Sequence, residues 1–421
     1  MNYYFDANEL YEAGRKAIRG SPWKYQTQLF EINRLMETAK TQNAIQSGKY
    51  RPKPGVKFLA NERGHKRYIT SAAMVDKMVN HVTCDRYLTP LLGKYLQYDN
   101  STSQRGKGVA FHRHRFEIQL RKYYEREKTN EGYIILSDLS GYYANILHEI
   151  ALKLIEASLR REISNREELD FLMRHLRLKF KMFEQDVSRF SDKEIAKMYH
   201  EKVSPLLNYG IPKELLTGTK MLRKGMELGD QVPQNVGVFL PVPMDNYVKI
   251  VCGVKYYGRY SDDFRFINPS KERLKEIMDG IREQAKELGL IINERKTRIC
   301  KLSGWYRHLQ VCYSLRSDGK IIKKINPKSI TRERRKLKAY KRLLSSGKMT
   351  YPEIENCFKS WLCGCYKYMS RRQIQDMNSL FQELFGKEIK WKKGHGRLRW
   401  LMAPSCPTSG STGTTSSRRR K

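Results

Sequence analysis

The sequence predicts an α+β fold, because strand-forming and helix-forming segments occupy separate stretches of the chain. Aromatic and β-branched residues predict a short buried strand over residues 133–138 and a β-hairpin over residues 253–267. Charged, helix-favouring segments predict helices over residues 155–225 and 329–385. The 421 residues are enough for two or three domains, or for one enzyme with several lobes.

The N-terminal third is predicted to contain helices around a second, smaller hairpin. A helical segment is expected from about Asn8 to Ser47, with apolar residues that include Leu10, Ile18, Leu29, Ile32 and Leu35. Residues 57–69 predict a hairpin with its turn at 61–64, after two prolines and a glycine break the chain. A helix is expected over residues 72–92, and a polar, basic loop over residues 97–108 leads into another helix.

Beyond the long hairpin, the chain is predicted to be mainly helical. An amphipathic helix is expected over residues 270–288, and the helical pattern of residues 329–385 is broken into two or three segments. After about Trp400 the sequence becomes rich in Ser, Thr and Gly and closes with a basic cluster. This composition predicts a disordered tail.

Basic residues exceed acidic residues along the whole chain. Lys and Arg number 81 against 44 Asp and Glu, which gives a formal net charge of +37. A field of this size attracts polyanions, so nucleic acid is the predicted partner, and no long apolar run predicts a membrane segment. The N-terminus lacks the pattern of a signal peptide, and the eight cysteines lack zinc-ligand spacing. The sequence therefore predicts a cytoplasmic protein with reduced cysteines and no membrane partner.

Three acidic residues form the candidate catalytic set. Asp262 and Asp263 sit at the predicted tip of the long hairpin, where adjacent like charges repel unless cations neutralise them. Asp138 ends the predicted buried strand and can converge on the same ions. Carboxylates suit hard divalent cations, so the sequence predicts two Mg²⁺ ions roughly 4 Å apart, with Mn²⁺ as a substitute. Taken singly, an Asp-Asp pair also fits a solvated turn, and an Asp after a strand also fits a helix cap.

In their order, these motifs resemble those of reverse transcriptases, the right-hand polymerases that copy RNA into DNA, over roughly residues 50–385. The resemblance is to bacterial and phage members, with a palm and thumb similar to those of group II intron enzymes. It implies fingers, a palm with an antiparallel sheet and helices, and a helical thumb. The implied segments are N-terminal helices and fingers at 1–130, a palm at 131–325 with a helical insertion at about 155–225, a thumb at 326–390, and a basic tail at 391–421.

The resemblance also implies a set of site residues. Asp138, Asp262 and Asp263 would be the catalytic metal ligands. The residues implied to bind the nucleotide are Lys66, Arg67, Leu139, Tyr143, Gln234 and Lys296. Within this set, Tyr143 would clash with a ribose 2′-OH, and Lys296 would lie near the leaving pyrophosphate. Arg105 and Lys107 of the basic loop would contact nucleic acid. Taken alone, Lys66 and Arg67 also fit a solvated hairpin, and Tyr143 also fits a core aromatic.

The middle motif departs from the common family pattern. Residues 228–234 begin with Leu228 where the family commonly has Gln, and they are similar to diversity-generating retroelements and phage-defence reverse transcriptases. The segment from Trp305 to Gln310 replaces the usual primer-grip sequence. No RNase H acid set, integrase or Cys/His endonuclease is recognisable at the C-terminus.

The resulting expectation is an RNA-directed DNA polymerase that extends a primer with dNTPs, in a retroelement or an anti-phage defence system. Its partners would be an RNA template, the DNA primer and product, and a dedicated non-coding RNA or accessory protein. A template-independent DNA polymerase and a catalytically idle RNA-binding scaffold remain alternatives. The sequence leaves the template, the primer type, the oligomeric state and the role of the insertion open.

Overall fold

The computed structural model describes residues 5–62, 65–195 and 220–389, with the backbone alone at 61–62 and 65–68. The chain divides into two compact units. The first unit extends to Gly304 and includes Ser317–Gly319, and the second comprises Trp305–Arg316 and the residues from Lys320 onward. The tail expected at 391–421 and the predicted insertion between 196 and 219 lie outside the described residues.

The N-terminal region has three helices where the sequence predicted one helical segment. Gly20 and Pro22 fall in the first interruption, since neither residue favours a helix interior. A two-stranded antiparallel hairpin follows, and then a helix that continues directly as a π-helical turn over Thr83–Leu92. The elements in order are α1 (Ala7–Ile18), α2 (Tyr25–Ile32), α3 (Arg34–Gln46), β1 (Val56–Glu62), β2 (His65–Ser71), α4 (Met74–Val82) and α5 (Val109–Glu127).

The predicted short strand is present as β3, and two long helices follow it. The residues of α7 contribute to the main hydrophobic core, so this part of the predicted insertion packs inside the first unit. The elements in order are β3 (Tyr133–Asp138), a 3₁₀ turn (Tyr142–Asn145), α6 (His148–Glu162), α7 (Arg166–Lys181), β4 (Gln185–Asp186), β5 (Met221–Leu222), α8 (Gln231–Phe239) and α9 (Val242–Asn246), which continues as a π-helical turn (Tyr247–Val251).

A four-stranded antiparallel sheet organises the first unit. Its strands are β6 (Tyr256–Tyr260), β7 (Asp263–Asn268), β3 and β8 (Arg298–Lys301), in the spatial order β6-β7-β3-β8. Helix α10 (Lys271–Glu287) connects β7 towards β8 and buries an apolar face that includes Leu274 and Ile281. Strand β3 is central and is buried along most of its length, which matches its continuous apolar sequence. The sheet thus holds the end of β3 beside the β6–β7 turn.

The second unit combines a three-stranded antiparallel sheet with helices. The strands lie in the order β11-β10-β9. They belong to the same compact unit as the residues of the predicted thumb. The helices pack around Phe358 and Phe381, whose ring centroids are 5.0 Å apart. The elements are β9 (Tyr306–His308), β10 (Val311–Leu315), β11 (Ile321–Ile325), α11 (Pro327–Ser345), α12 (Tyr351–Cys365), a 3₁₀ turn (Tyr366–Tyr368) and α13 (Arg371–Phe385).

The coarse prediction of a mixed α and β fold is therefore confirmed, whereas the division into fingers, palm and thumb stays a prediction. Within the described ranges, no helix is both long enough and apolar enough to span a bilayer.

Candidate active site

The three predicted acids lie at one end of the four-stranded sheet. Asp138, the last residue of β3, is the direct cross-strand partner of Asp263, the first residue of β7. Asp262 and Ser261 form the two-residue turn between β6 and β7. The Asp262 carbonyl accepts a hydrogen bond of 3.2 Å from the N–H of Leu139, which follows β3. The register of the sheet therefore brings the acids together from two separate parts of the sequence.

Burial and mutual repulsion perturb the electrostatics of this cluster. Burial raises the pKa of Asp262 to about 7, and the neighbouring carboxylates of Asp138 and then Asp263 add to the rise. Across the described part of the chain, no three His, Cys, Asp or Glu side chains form a group arranged to hold a metal ion. The donor set of adjacent carboxylate oxygens nevertheless has the chemistry that hard divalent cations require.

The loop after α10 is fastened to the end of β3. The Lys296 ammonium donates to the Asp138 carboxylate, and the Asn293 amide group donates to the same oxygen at 3.3 Å. The Asn293 backbone N–H donates to the Asp138 carbonyl at 2.8 Å. The hydrogen bond to Asp138 raises the pKa of Lys296, whose side chain is largely exposed. The structure therefore places Lys296 beside the first acid.

Tyr143 lies against a glycine of helix α8. A Cβ atom added to Gly237 would come within 2.7 Å of the Tyr143 ring, and the Tyr142 hydroxyl donates to the Gly237 carbonyl at 2.6 Å. Burial raises the pKa of Tyr143, while a hydrogen bond with the Ser261 side chain opposes the rise. The position of Tyr143 is therefore fixed by α8 on one side and by the turn with the acids on the other.

Two further members of the predicted nucleotide set differ in exposure. Leu139 is buried and forms an isolated antiparallel bridge with Ile292, so its side chain belongs to the core beside the acids. Gln234 lies on the exposed side of α8. The structure therefore leaves Gln234 available to a ligand, and it gives Leu139 a packing role.

The small hairpin is joined to the middle motif. Lys66 and Arg67 lie on β2, and their side chains are outside what the structure describes. The N–H of Thr70 on β2 donates to the Leu228 carbonyl at 3.0 Å. The Glu227 carboxylate accepts from the Thr70 hydroxyl and pairs with Lys57 of β1 at 2.6 Å. Both strands of the hairpin are therefore held by the segment that carries the divergent motif.

Helix α7 also supports the middle motif. Its Lys179 forms a buried ion pair of 2.5 Å with Asp230, and Asn80 of α4 donates to the same carboxylate at 2.7 Å. Asp230 caps the N-terminus of α8 through the backbone N–H of Gln231. The predicted insertion thus contains a helix that positions part of the site.

A buried ion pair beneath the acids was not predicted from the sequence. Arg259 and Asp245 are both fully buried, with a shortest N–O distance of 2.7 Å. Burial alone would lower the pKa of Arg259, but the Asp245 carboxylate outweighs it and the net direction is upward. The Arg259 guanidinium also donates to the Ser261 carbonyl at 3.1 Å and to the Val238 carbonyl at 2.9 Å. The sequence signal that could have indicated this ion pair is Asp245 itself, a single acid that directly follows the apolar residues Val242–Met244.

The basic loop at 97–108 lies along β6. The N–H of Ser101 donates to the Arg259 carbonyl at 3.2 Å, and the N–H of Ser261 donates to the Thr102 hydroxyl at 2.5 Å. Lys107 donates to two carbonyls of its own loop, at 2.9 and 3.2 Å, and burial lowers its pKa. Arg105 is exposed. The structure therefore shows that Lys107 stabilises the loop, while the exposed side chain of Arg105 is accessible to a ligand.

Comparison with known proteins gives similarity to solved structures only. No family model and no curated protein matches the sequence. A structure of telomerase from Candida albicans in complex with the TWJ fragment of telomeric RNA is 11% identical with a TM-score of 0.44, and the match covers 86% of this chain and 62% of that chain. Apo telomerase from Candida tropicalis is 13% identical with a TM-score of 0.41, covering 87% of this chain and 73% of that one.

A second structure of the Candida tropicalis enzyme, truncated from the C-terminal domain, is 14% identical with a TM-score of 0.41. The match covers 69% of this chain and 60% of that chain. The present chain thus spans less than two thirds of the length of two of these three telomerase chains. Similarity of this degree carries no information about activity.

Proposed function

We propose that the protein is an RNA-directed DNA polymerase that extends a primer with dNTPs. The observation that carries the proposal is the meeting of Asp138, Asp262 and Asp263 at one end of a sheet, in a chain with a net charge of +37. Three acids that repel each other have no evident role in binding a polyanion. The three acids would have a role if they held cations that also bind a nucleotide.

The three carboxylates would hold two divalent cations, Mg²⁺ in the first instance. Bound there, the ions would activate the primer hydroxyl and stabilise the leaving pyrophosphate. The chain itself would position the nucleotide: Tyr143 would exclude a ribose 2′-OH, and Lys296 would neutralise phosphate charge near Asp138. Lys66, Arg67 and Gln234 would complete the contacts to the nucleotide.

The basic surface would hold the template and the primer. Phosphate contacts fix the position of nucleic acid without reading its sequence, so base pairing would select each nucleotide. Arg105 would contribute to this surface from the loop beside β6. The divergent motif that begins at Leu228 supports a role in a retroelement or in anti-phage defence, with a dedicated non-coding RNA as template.

Primer extension on a defined RNA tests the proposal. We expect Asp262→Asn and Asp138→Asn to reduce dNTP incorporation to background and to leave RNA binding almost unchanged, because the metals rather than the fold depend on these groups. Asp279→Asn is the matched control, since Asp279 is an exposed acid on α10 that pairs with Arg282. Incorporation by Asp262→Asn at the level of the control would exclude the proposed site.

The sequence of the product separates the possible polymerase activities. A product complementary to the RNA supports RNA-directed synthesis, and a product independent of the added RNA shows template-independent synthesis instead. A metal titration without nucleotide adds a second readout: Mg²⁺ should raise the melting temperature of the wild type and of Asp279→Asn more than that of Asp262→Asn.

A further inference from the structure

Large apolar side chains are exposed on the outer side of helices α2 and α3. Four of them follow each other at intervals of four, three and four residues, which places them on one side of a helix. Two more flank this row. All six have relative exposures between 42% and 82%, and we call them the outer stripe: Trp23, Tyr25, Leu29, Ile32, Leu35 and Met36.

The two helices keep a common register across the residue that separates them. The N–H of Asn33 donates to the Leu29 carbonyl at 3.3 Å, and the N–H of Glu37 donates to the Asn33 carbonyl at 2.9 Å. Both are bonds between residues four apart, as in an uninterrupted helix. The outer stripe is therefore continuous from α2 into α3.

The opposite side of the same two helices is the side that packs on the protein. Its buried residues also recur at helical intervals: Thr27, Phe30, Thr38, Thr41 and Ile45. The helices thus have one buried side, formed by threonines and apolar residues, and an apolar side that is exposed in the described residues. A surface helix normally places charged and polar groups there. A contiguous exposed apolar surface marks an interaction site.

The charge around the outer stripe indicates which kind of partner fits. Residues 5–48 contain six basic and five acidic residues, a net charge of +1, whereas the whole chain carries +37. This region therefore lacks the basic surplus that would attract nucleic acid or an acidic protein. It is also the region where two copies of the chain could approach each other with little repulsion.

We propose that the outer stripe is the contact surface between two copies of this chain. Two copies related by a two-fold axis would present the same patch to each other, so the α2–α3 rows would pack against one another. Ile32, the most exposed member at 82%, would lie near the centre of the contact. The nearly balanced charges beside the row add little net repulsion across the axis.

The molar mass of the nuclease-treated protein, measured by light scattering and sedimentation over a wide range of concentration, tests this proposal. We expect a species of twice the 49.6 kDa chain mass. Ile32→Glu and Leu35→Glu should each weaken self-association about thirtyfold or more, as charges at the centre of an apolar interface do. Ile250→Glu is the matched control, because Ile250 is an apolar residue of similar exposure outside the outer stripe and should leave the dimer intact.

Salt dependence separates an apolar dimer from one bridged by residual nucleic acid. Added salt screens the repulsion between the two basic copies, so the proposed dimer should become tighter or stay unchanged. An assembly bridged by nucleic acid would dissociate as salt rises. A monomer at every concentration, a dimer that dissociates in salt, or an equally stable dimer in Ile32→Glu would each overturn the proposal. None of these measurements requires polymerase activity.

Discussion

His112 lies in the interior next to the turn that carries the acids. Its Nδ1 atom is 3.2 Å from the Ser101 hydroxyl, and its ring centroid is 5.7 Å from that of Tyr260. Burial, followed by the positive charge of Arg265, lowers the pKa of His112 to about 2. The unfolded chain keeps an ordinary histidine pKa near 6.5, so it binds a proton below that pH and the folded protein does not.

Acid should therefore destabilise the protein through His112. The free energy of unfolding has its full value, as far as His112 is concerned, above about pH 6.5. It falls as the pH falls, by about 1–2 kcal/mol between pH 7 and pH 5. Urea unfolding at the two pH values measures the loss. We expect His112→Gln to reduce the difference by about that amount, whereas His114→Gln, at an exposed position, should not. An equal pH dependence in both variants would show that His112 titrates normally.

Tyr143 is the residue expected to discriminate between sugars. Removing its ring should admit ribonucleotides, and the preference for dNTPs in Tyr143→Val should fall roughly 10- to 200-fold. Gly237→Ala should act in the same direction, because its methyl group would occupy the place of the Tyr143 ring. Competition between dNTPs and rNTPs in primer extension measures the effect. Gly93→Ala is the control, since among the described residues nothing beyond its chain neighbours and its own helix backbone lies within 4 Å of the added carbon. Unchanged discrimination in Tyr143→Val would make this residue an ordinary core aromatic.

At the scale of elements, the β6–β7 hairpin depends on the ion pair between Arg259 and Asp245. Removing one partner leaves the other charge buried and unpaired, so Asp245→Asn should lower the free energy of unfolding by about 3–5 kcal/mol. Replacing both residues in Arg259→Met/Asp245→Leu should recover much of that loss. Denaturant unfolding of the three proteins measures both effects.

The double variant also separates positioning from stability. It lacks the hydrogen bond from Arg259 to the Ser261 carbonyl, so the turn that holds Asp262 loses one of its anchors. We expect most of the lost stability to be recovered, with a reduced turnover number and little change in affinity for RNA. Full turnover in a stable double variant would show that the pair serves folding alone.

The sequence predicted the site elements well because their signals are local. Alternating aromatic residues and a short turn identify the hairpin with Asp262, and a compact apolar run identifies the strand that ends at Asp138. The pairing that joins them depends on register between distant segments, which the sequence does not encode in one window. For the same reason, the contact of Glu227 with the small hairpin and of Lys179 with Asp230 appeared only in the structure.

Helical periodicity identified the apolar residues of the N-terminal helices but not which of them are buried. Leu29, Ile32 and Leu35 fit an apolar pattern, yet all three are exposed, because the buried side of α2 and α3 is formed by Thr27 and Phe30 together with other residues of that row. Periodicity alone therefore does not show which side of these helices faces the core.

At the scale of the whole molecule, the excess positive charge predicts binding dominated by phosphate contacts. Affinity for a primer-template should fall steeply with salt, with a log-log slope of about −0.7 to −0.9 for each phosphate neutralised. Fluorescence anisotropy over a salt series measures the slope. Arg105→Ala should reduce its magnitude by about one contact, whereas the exposed Lys40 lies in the nearly neutral N-terminal region and Lys40→Ala should leave it unchanged. A slope near zero for the wild type would contradict the role assigned to the charge.

The pairing of the basic loop with β6 has a consequence for aggregation. β6 is an edge strand, and an uncovered edge offers free backbone N–H and C=O groups to a strand of another molecule. Residues Asp99 and Ser101 occupy part of that edge by bonding to both backbone groups of Arg259, and the ion pair of Asp99 with Arg115 at 2.6 Å fastens them there. Shortening this loop would therefore open a site for intermolecular strand pairing, and the first symptom would be aggregation rather than weaker template binding.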